Sequence, residues 1–428
     1  MEKHIIAVLG GGFGGLRAAK KIAKGLKKMN LLDSHEVVLI EKNDHQTYTP
    51  LLYEVATTSK ETANLCDLHA VAAYPLREII GNLPVTLMQR TVKKLDVIEG
   101  DIHFEDGGNL VFDYAVLALG SETNYFGIPG LEENSFPLKT FRDAIRLRDR
   151  VLSLMQDNPS SKMRIVLGGA GPNGVELAAE LKSWCGELEE ELKSCNLEIT
   201  LVEGGSGILG GMAQAVVDKA ARRLDKIGVN VVSGNPISSV TKNSLSLKDG
   251  KEIGFDILVW TGGVKVSSVF SDAPLKKEAR GRIEVADMML CLPQTPDLKL
   301  RPMIYALGDA VCVYDSATGK PVPGVARSAL EQAVVVAANI LEDVKREAVK
   351  DYSPRHTTYK PMSYPYVIPV GGKFAVAKIG PVILSGIWGW FFKGLVELNY
   401  LLSIMEPRMA FRTWFRGLRI FITNDRLG

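Results

Sequence analysis

Glycines and one carboxylate near the start of the chain have the types and spacing needed to bind a pyrophosphate. The pattern G-x-G-x-x-G falls at Gly10, Gly12 and Gly15. The first glycine permits a tight turn, the second lets the backbone approach a phosphate, and the third lets a helix pack close to a strand. Glu41 is placed to hydrogen-bond the ribose hydroxyls of an adenosine. The pattern predicts dinucleotide binding, and the alternative is a glycine-rich turn with no ligand.

Three predicted elements position these residues. The apolar run at residues 5–9 is typical of a buried parallel strand, and residues 16–22 have helix-forming composition. A second apolar strand at residues 37–40 ends at Glu41. These elements together form a dinucleotide-binding unit, in the order strand, glycine loop, helix and strand. The amides at the start of the helix face the phosphates.

The same pattern occurs a second time. Gly169, Gly171 and Gly174 follow the strand at residues 164–167, and a helix is predicted from Val175 to about Ser194. The next strand ends at Glu203, and residues 204–207 contain no arginine that would hold a 2′-phosphate. The second unit is therefore predicted to favour NADH over NADPH.

The resemblance between the two halves extends further along each of them. Hairpin signals occur at residues 105–108 and 248–250, and each is followed by Phe-Asp and an apolar strand ending near Gly120 or Gly262. Two adenosine-diphosphate sites indicate one resident and one exchanging cofactor. A flavin with a nicotinamide is the combination that has a chemical purpose, because the flavin accepts hydride and releases electrons to other acceptors.

Asp309 is a further candidate. It follows an apolar strand and Gly308, where a carboxylate can hydrogen-bond the ribityl hydroxyls of a flavin. The alternative is an ordinary Gly-Asp turn between a strand and a loop.

These patterns predict an α/β fold with two Rossmann-like dinucleotide-binding domains, for FAD and NADH, and a C-terminal amphipathic membrane-surface region. We expect a discontinuous FAD domain at residues 1–120 and 266–345. The NADH domain is expected at 121–265, and the membrane-association and dimerisation region at 346–428.

Composition excludes several classes of protein. The 428 residues carry a net charge of +2, so nucleic acid is not expected as a partner. The five cysteines form no C-x-x-C pair and no cluster with metal-ligand spacing, which predicts reduced thiols and no metal site. The start of the chain has no signal-peptide core, and no apolar run reaches about 18 residues. We therefore expect an intracellular chain without a spanning helix.

The C-terminal region has the pattern of a membrane-surface helix. The apolar stretch 388–405 is interrupted by Lys393 and Glu397, and Pro407 follows it. Beyond the proline an apolar stripe is flanked by four arginines, which is typical of a helix lying in a bilayer interface. The stripe consists of Phe411, Phe415, Leu418 and Ile422, and the arginines are Arg408, Arg412, Arg416 and Arg419. The alternatives are a dimer interface and a helix packed on the protein's own core.

The chain resembles the type II NADH dehydrogenases, which are single-chain NADH:quinone oxidoreductases within the flavoprotein disulfide-reductase superfamily. The resemblance covers nearly the whole chain and rests on the first glycine loop, the segments 50–56 and 169–177, Gly308-Asp309 and the tail. Disulfide-reducing relatives carry a redox cysteine pair beside the flavin, and the sequence shows none.

The resemblance implies site residues in both domains. Those implied for FAD are Gly10, Gly12, Phe13, Gly14, Gly15, Glu41, Lys42, Val92, Gly120, Asp309 and Ala326, with Lys393 close to the flavin. Those implied for NADH are Gly169, Gly171, Pro172, Asn173, Gly174, Glu176, Glu203 and Gly262. Glu180 matches a family glutamate that lies beside the flavin and is a candidate proton carrier to the quinone. Glu176 and Glu180 are four residues apart and so share one helix face, although both have the alternative of being solvated helix acids.

One motif departs from the family. Where relatives read Ala-Gln-x-Ala-x-Gln, this chain has Arg327 and Glu331 in place of the two glutamines. We hypothesise that Arg327 stabilises reduced flavin and pairs with Glu180, lowering the pKa of that acid. The alternative is neutral drift or a slight misalignment.

The expected activity is transfer of hydride from NADH to FAD and of two electrons to a membrane quinone, without proton pumping. A respiratory homodimer on the cytoplasmic face of the membrane is expected. The alternatives are a soluble NADH reductase that donates to a small redox protein, and a membrane-tethered NADH sensor with slow turnover.

Overall fold

The computed structural model divides the chain into two compact units. It describes residues 3–58, 68–157, 161–192, 195–301, 303–315, 319, 321–322 and 324–424. The first unit comprises Met1–Gln46, Pro75–Glu122 and Val264–Met362. The second comprises Thr47–Tyr74, Thr123–Gly263 and Ser363–Gly428.

A five-stranded parallel sheet forms the centre of the first unit. Its strands, in spatial order, are Ile304–Ala306, Tyr114–Leu117, His4–Leu9, His35–Ile40 and Val85–Met88. The central strands are buried runs of Ile, Val, Leu and Ala, as expected for a parallel sheet covered on both faces. Two helices of this unit pack together: the first-loop helix, Phe13–Met29, and the helix Ala326–Ala348.

The second unit repeats this architecture. Its parallel sheet has the spatial order Phe136–Pro137, Ile257–Trp260, Met163–Gly168, Leu197–Val202 and Val229–Val232. The second-loop helix, Pro172–Leu192, follows the central strand as the first-loop helix does in the first unit. The internal repeat and the α/β fold class expected from the sequence are thus confirmed.

The two hairpins predicted from Gly-rich turns are also present. In the first unit, Val92–Asp96, Asp101–Phe104 and Asn109–Val111 form an antiparallel sheet. In the second unit, Ile237–Val240, Ser244–Leu247 and Glu252–Gly254 do the same.

The C-terminal part of the second unit is a β-meander followed by two helices. The strands Tyr366–Pro369, Ala375–Ile379 and Val382–Gly386 are antiparallel. They lead into the charged-core helix, Ile387–Ile404, and then the arginine-row helix, Pro407–Asn424. Among the described residues, no helix has the length and apolarity needed to cross a membrane.

The part of the chain that the structure describes also contains shorter elements. The other α-helices are Leu52–Ala56, His69–Ala72, Leu76–Ile80, Phe141–Asp157 and Gln214–Lys226, and 3₁₀ turns occur at Thr49–Leu51, Ser268–Phe270 and Gly308–Ala310. The other strands are His45–Thr47, Ala73–Pro75, Ser121–Thr123, Val264–Val266, Ile283–Glu284 and Val311–Cys312.

The domain division differs from the expected one in two places. The expected NADH domain, 121–265, corresponds to the segment Thr123–Gly263. Thr47–Tyr74, expected in the FAD domain, groups with the second unit because its helix Leu52–Ala56 packs on the second-loop helix. The C-terminal region, expected as a separate part at 346–428, is divided: residues 346–362 belong to the first unit and the region from Ser363 to the second. Which cofactor each unit binds stays a prediction.

The expectation that all cysteines are reduced is wrong for one pair. Cys185 and Cys195 form a disulfide, with their Cα atoms 5.5 Å apart. Cys185 lies on the second-loop helix, and Cys195 lies two residues before the strand Leu197–Val202, which packs against that helix. Cys291 and Cys312 are buried free thiols, and Cys66 lies outside the described residues.

One glycine in each loop permits a close approach of helix to strand end. A Cβ atom on Gly15 would overlap the carbonyl oxygen of Gly10, and one on Gly174 would overlap that of Gly169. No side chain fits at either place unless the helix moves away from its sheet. These contacts therefore determine where each helix begins.

We predict that Gly15→Ala and Gly174→Ala each destabilise the protein by about 1–3 kcal/mol or more, because the overlapping atoms are backbone. Thermal unfolding followed by circular dichroism measures this. Gly210→Ala is the control, since a Cβ there meets nothing within 4 Å. Unfolding of Gly15→Ala at the wild-type temperature would contradict the prediction.

Candidate functional site

The first phosphate loop is held by a carboxylate from the neighbouring strand. Glu41 follows the strand His35–Ile40, and its Oε2 accepts a hydrogen bond of 2.8 Å from the backbone N–H of Gly11. Its Oε1 accepts from the backbone and side-chain amides of Asn43, at 3.1 and 2.9 Å. Glu41 is thus fixed beside the loop, while Lys42 is exposed.

The loop leaves room for a ligand at its centre. A Cβ on Gly12 would meet no atom within 4 Å, so the backbone there faces open space at the start of a helix. Open backbone amides, a helix N-terminus and a neighbouring carboxylate fit the adenosine diphosphate of FAD.

Several other residues predicted for FAD come together in the first unit. Asp309 accepts a hydrogen bond of 2.8 Å from Ser121 Oγ, next to Gly120. Gly14 lies so close to Leu307 that a Cβ atom on Gly14 would overlap the Leu307 side chain. The backbone N–H of Gly308 donates to Gln332 at 2.8 Å.

The other residues predicted to bind FAD can be placed by the helix or strand to which each belongs. Phe13 is the first residue of the first-loop helix, and Ala326 is the first residue of the helix that packs against it. Val92 is buried in the hairpin sheet, opposite Phe104. Their roles in binding FAD stay predictions.

The two residues that depart from the family motif pair with each other. Arg327 Nη2 and Glu331 Oε1 are 2.8 Å apart, one helical turn along Ala326–Ala348. Glu331 also raises the pKa of Arg17, although burial lowers that pKa overall. The positive charge of Arg327 is therefore balanced by the negative charge of Glu331 within the first unit. Glu180 belongs to the second unit, and its coupling to Arg327 stays a hypothesis.

The second phosphate loop reproduces the two hydrogen bonds that the carboxylate of the first loop accepts from the backbone. Glu203 Oε2 accepts from the backbone N–H of Ala170 at 2.7 Å, as Glu41 does from Gly11. Its Oε1 accepts from the N–H of Gly205 at 2.7 Å. A Cβ on Gly171 would meet nothing within 4 Å. Pro172 and Asn173 are exposed at the start of the helix.

Gly262 lies against this loop. A Cβ on Gly169 would overlap the Cα of Gly262, and Thr261 Oγ1 donates to the Gly169 carbonyl at 2.9 Å. The structure thus brings the predicted loop residues, Glu203 and Gly262 together in the second unit.

Glu176 and Glu180 have different surroundings although both are buried on the second-loop helix. Glu180 accepts a hydrogen bond of 3.3 Å from the N–H of Gly372. Burial lowers the pKa of Arg223, and the nearby Glu180 opposes that effect. Glu176 lies near Lys393, which lowers its pKa, and near Glu54, which raises it. Burial is the larger effect and raises the pKa of Glu176 to about 8.

The second unit contains a buried cluster of charges that its sequence did not lead us to expect. Lys393 forms an ion pair with Glu54, a residue 339 positions earlier in the chain. Glu397, one helical turn after Lys393, is only 3% exposed. Burial raises its pKa to about 8, against the opposing effect of Lys393. The signal in the sequence was a pair of charges four residues apart in an apolar helix, which we used only to argue against a membrane span.

Tyrosines surround this cluster. Tyr48 stacks on Tyr400 with ring centroids 4.8 Å apart, and Tyr74 lies 6.1 Å from Tyr48. Burial and the neighbouring Glu397 raise the pKa values of Tyr48 and Tyr74, so both hydroxyls stay protonated at neutral pH. The Lys393 ammonium also lies 5.2 Å from the ring centroid of Tyr53.

Comparison with known proteins assigns the family. The model of the pyridine nucleotide-disulphide oxidoreductase family matches residues 4–333. The chain belongs to this family.

Named relatives cover almost the whole chain. The type II NADH:quinone oxidoreductase Ndh of Mycobacterium tuberculosis is 26% identical, over 96% of this chain and 88% of its own. The demethylphylloquinone reductase NdbB of Synechocystis is 28% identical, over 97% and 94%. The structure of NDH2 from Plasmodium falciparum in complex with NADH superposes with a TM-score of 0.81 at 18% identity, over 99% and 98% of the two chains. This last likeness establishes the shared fold.

We predict that Gly171→Ala raises the Kd for NADH at least about tenfold while leaving the flavin content unchanged, because the new methyl group occupies the space open to a pyrophosphate. Quenching of protein fluorescence by NADH measures the Kd. Gly12→Ala is the matched variant in the first loop, and it should lower the flavin content instead. Wild-type NADH affinity of Gly171→Ala would contradict the assignment of the second loop.

The buried acids Glu176 and Glu397 make the free energy of unfolding depend on pH, in a direction that follows from their raised pKa values. Glu176 and Glu397 keep their protons to about pH 8 when folded, whereas an unfolded chain releases them near pH 4.5. Between these values the native state holds more protons, so the free energy of unfolding falls as pH rises, by at most about 1.4 kcal/mol per pH unit for each acid.

We predict that Glu397→Gln removes its share of this pH dependence between pH 5 and 8, because the amide does not titrate. Urea unfolding at each pH, compared with wild type, measures the effect. The exposed Glu406 provides the control variant, Glu406→Gln, which should follow the wild-type curve. Parallel curves for Glu397→Gln and wild type would contradict the pKa of Glu397.

Proposed function

We propose that this chain is a type II NADH:quinone oxidoreductase. The observation that carries the proposal is the pair of phosphate loops, each closed by a carboxylate bonded to the second residue of its glycine motif. Relatives named as NADH:quinone and demethylphylloquinone reductases, which align over almost the whole chain, give further support.

The first loop, Glu41, Gly120 and Asp309 would hold FAD, which when bound supplies a hydride acceptor that can pass on two electrons. The second loop and Gly262 would hold NADH. Glu203 selects against NADPH, because its carboxylate would repel a 2′-phosphate at the ribose. Glu176 and Glu180 lie on the helix that begins at this loop, in positions to hold protons near the nicotinamide site.

Disulfide reduction fits the chain less well than quinone reduction. Cys185 lies 13 residues after Pro172 on the second-loop helix, or roughly 20 Å along its axis. The Cys185–Cys195 bond is therefore remote from the loop that would bind NADH. Electrons are expected to leave through a quinone instead.

A quinone acceptor requires access to a membrane, and the C-terminal helices offer a suitable surface. Trp388, Phe391 and Leu395 are exposed on the charged-core helix, and Phe411, Phe415 and Ile422 are exposed on the arginine-row helix. The four arginines of that helix are exposed as well. We infer a peripheral position on the cytoplasmic face, where anionic lipids attract arginine, and a homodimer formed through this region.

We predict that NADH bleaches the flavin absorbance of purified protein and that a short-chain ubiquinone restores it within the turnover time. Rapid mixing in two steps measures both reactions. Reoxidation by a small iron–sulfur protein but by no quinone would favour the soluble reductase, and slow reoxidation by either would favour the sensor. Both outcomes would contradict the proposed function.

We predict that Phe411→Glu combined with Phe415→Glu abolishes flotation with vesicles of phosphatidylcholine and phosphatidylglycerol, because burying two carboxylates in the interface is unfavourable. Sucrose-gradient flotation measures binding, and added salt should weaken binding of wild type through its arginines. Val111→Glu is the control, since Val111 is equally exposed on the hairpin of the first unit. Flotation of the double variant at the wild-type level would contradict a membrane role for this helix.

A further inference from the structure

Phe126 is an exposed aromatic residue for which the activity described above has no role. Its side chain is 60% exposed, so the ring contributes little to the core. Its backbone has a φ of +53°, a left-handed conformation that is unfavourable for a bulky residue and easier for glycine or asparagine. Strained residues are concentrated at ligand sites, so the surroundings of this ring indicate what it contacts.

Asn124 fixes the position of the ring. Its Oδ1 accepts a hydrogen bond of 2.9 Å from the backbone N–H of Phe126. The backbone N–H of Asn124 donates to the carbonyl oxygen of Gly263 at 3.0 Å, and its carbonyl oxygen accepts from Trp260 Nε1 at 2.8 Å. The loop that carries Phe126 is therefore bonded to the end of the strand Ile257–Trp260 and to the residues that follow it.

The Phe126 ring packs on this strand end with only part of its surface. A Cβ atom on Gly263 would lie 2.6 Å from two atoms of the ring, so the ring lies directly against the glycine backbone. The ring also meets Trp260 edge to face, with centroids 6.4 Å apart and planes at 81°. The exposed remainder of the ring is available to a ligand.

Trp260 connects Phe126 to the second phosphate loop. Cβ atoms on Gly168 and Gly262 would each overlap the Trp260 indole, and one on Gly169 would overlap the Cα of Gly262. The loop, the indole and the Phe126 ring are therefore in consecutive contact at one edge of the sheet. This is the edge where the carboxyl ends of the parallel strands meet, which is where open α/β sheets bind dinucleotides.

The strand order determines which half of a dinucleotide reaches Phe126. The strand before the loop, Met163–Gly168, has Leu197–Val202 on one side and Ile257–Trp260 on the other. Glu203, at the end of Leu197–Val202, is the predicted acceptor for the ribose of the adenosine half. With the pyrophosphate on the loop, the other nucleoside lies toward the end of Ile257–Trp260, on the side of Phe126. In NADH that nucleoside carries the nicotinamide.

We propose that the Phe126 ring forms one wall of the nicotinamide subsite and stacks on the nicotinamide ring. The proposal rests on the proposed function, since it assumes that the second loop binds NADH. Aromatic stacking suits both forms of the coenzyme, and the cationic ring of NAD⁺ is further attracted to the π face of Phe126. Asn124 is a positioning residue in this scheme, because it holds the loop that carries the ring.

The test compares two ligands that share the ADP-ribose portion and differ in the nicotinamide. NAD⁺ and ADP-ribose do not reduce the flavin, so calorimetric titration of the flavin-loaded protein gives each Kd without turnover. Phe126→Asn removes the ring and keeps a residue that tolerates the left-handed backbone. We expect this variant to raise the Kd for NAD⁺ about tenfold or more and to leave the Kd for ADP-ribose within about twofold of wild type.

Further variants separate recognition by the ring from a structural role. Phe126→Tyr keeps an aromatic ring and should bind NAD⁺ as tightly as wild type. Phe126→Gly relieves the backbone strain, so it covers the case in which Phe126→Asn does not fold, and it should show the same selective loss of NAD⁺ affinity. Val111→Asn, which changes an exposed residue of the first unit, should match wild type with both ligands.

The outcomes separate the two proposals. If wild type binds neither NAD⁺ nor ADP-ribose, the second loop is not an NADH site and the proposed function fails. If wild type binds both and the variants without the ring bind NAD⁺ equally well, only the role of Phe126 fails. Equal losses of affinity for NAD⁺ and ADP-ribose would also overturn that role, because the ring would then support the loop without recognising nicotinamide.

Discussion

The contact between the start of a helix and the end of a strand is the constraint on which both units depend. In each unit the third glycine of the motif lies against the carbonyl oxygen of the first, at Gly15 and Gly10 and again at Gly174 and Gly169. This contact determines where the helix begins, and so where its free amides point. It also brings the second residue of the loop within reach of the carboxylate that ends the next strand. Phosphate binding and ribose recognition are consequences of a backbone contact that tolerates no side chain.

A second constraint acts where charges are buried in the second unit. Lys393 and Glu54 neutralise each other, but Glu176 and Glu397 remain beside them in surroundings that disfavour further charge. The helix Ile387–Ile404 must therefore satisfy two environments, with apolar residues outward and ionisable residues inward. A helix of this kind is poorly suited to crossing a membrane and well suited to lying between a membrane and a polar interior.

Local patterns predicted most of the fold, and distant pairings account for what they missed. The glycine loops, hairpins and C-terminal helix depend on residues close in sequence, and each is present. Glu54 and Lys393 are 339 positions apart, so no periodicity connects them. The Cys185–Cys195 bond depends on the packing of a helix against the following strand, which composition does not reveal. The pairing of Arg327 with Glu331 was within reach of sequence reasoning, because a spacing of four on a helix favours an ion pair.

Glu176 and Glu180 illustrate why a shared helix face does not imply a shared role. Their spacing predicts that both side chains point to one side of the second-loop helix, and both are buried. Glu180 lies near Arg223 and bonds the turn at Gly372, whereas Glu176 lies near Lys393 and Glu54. The elements that cover the two residues come from the β-meander in one case and from two separate helices in the other. Burial favours the neutral form of Glu176, whereas Glu180 is held by a hydrogen bond from the backbone of the β-meander. The surroundings of the two acids are set by the segments packed against the helix, and the sequence of the helix alone does not contain that information.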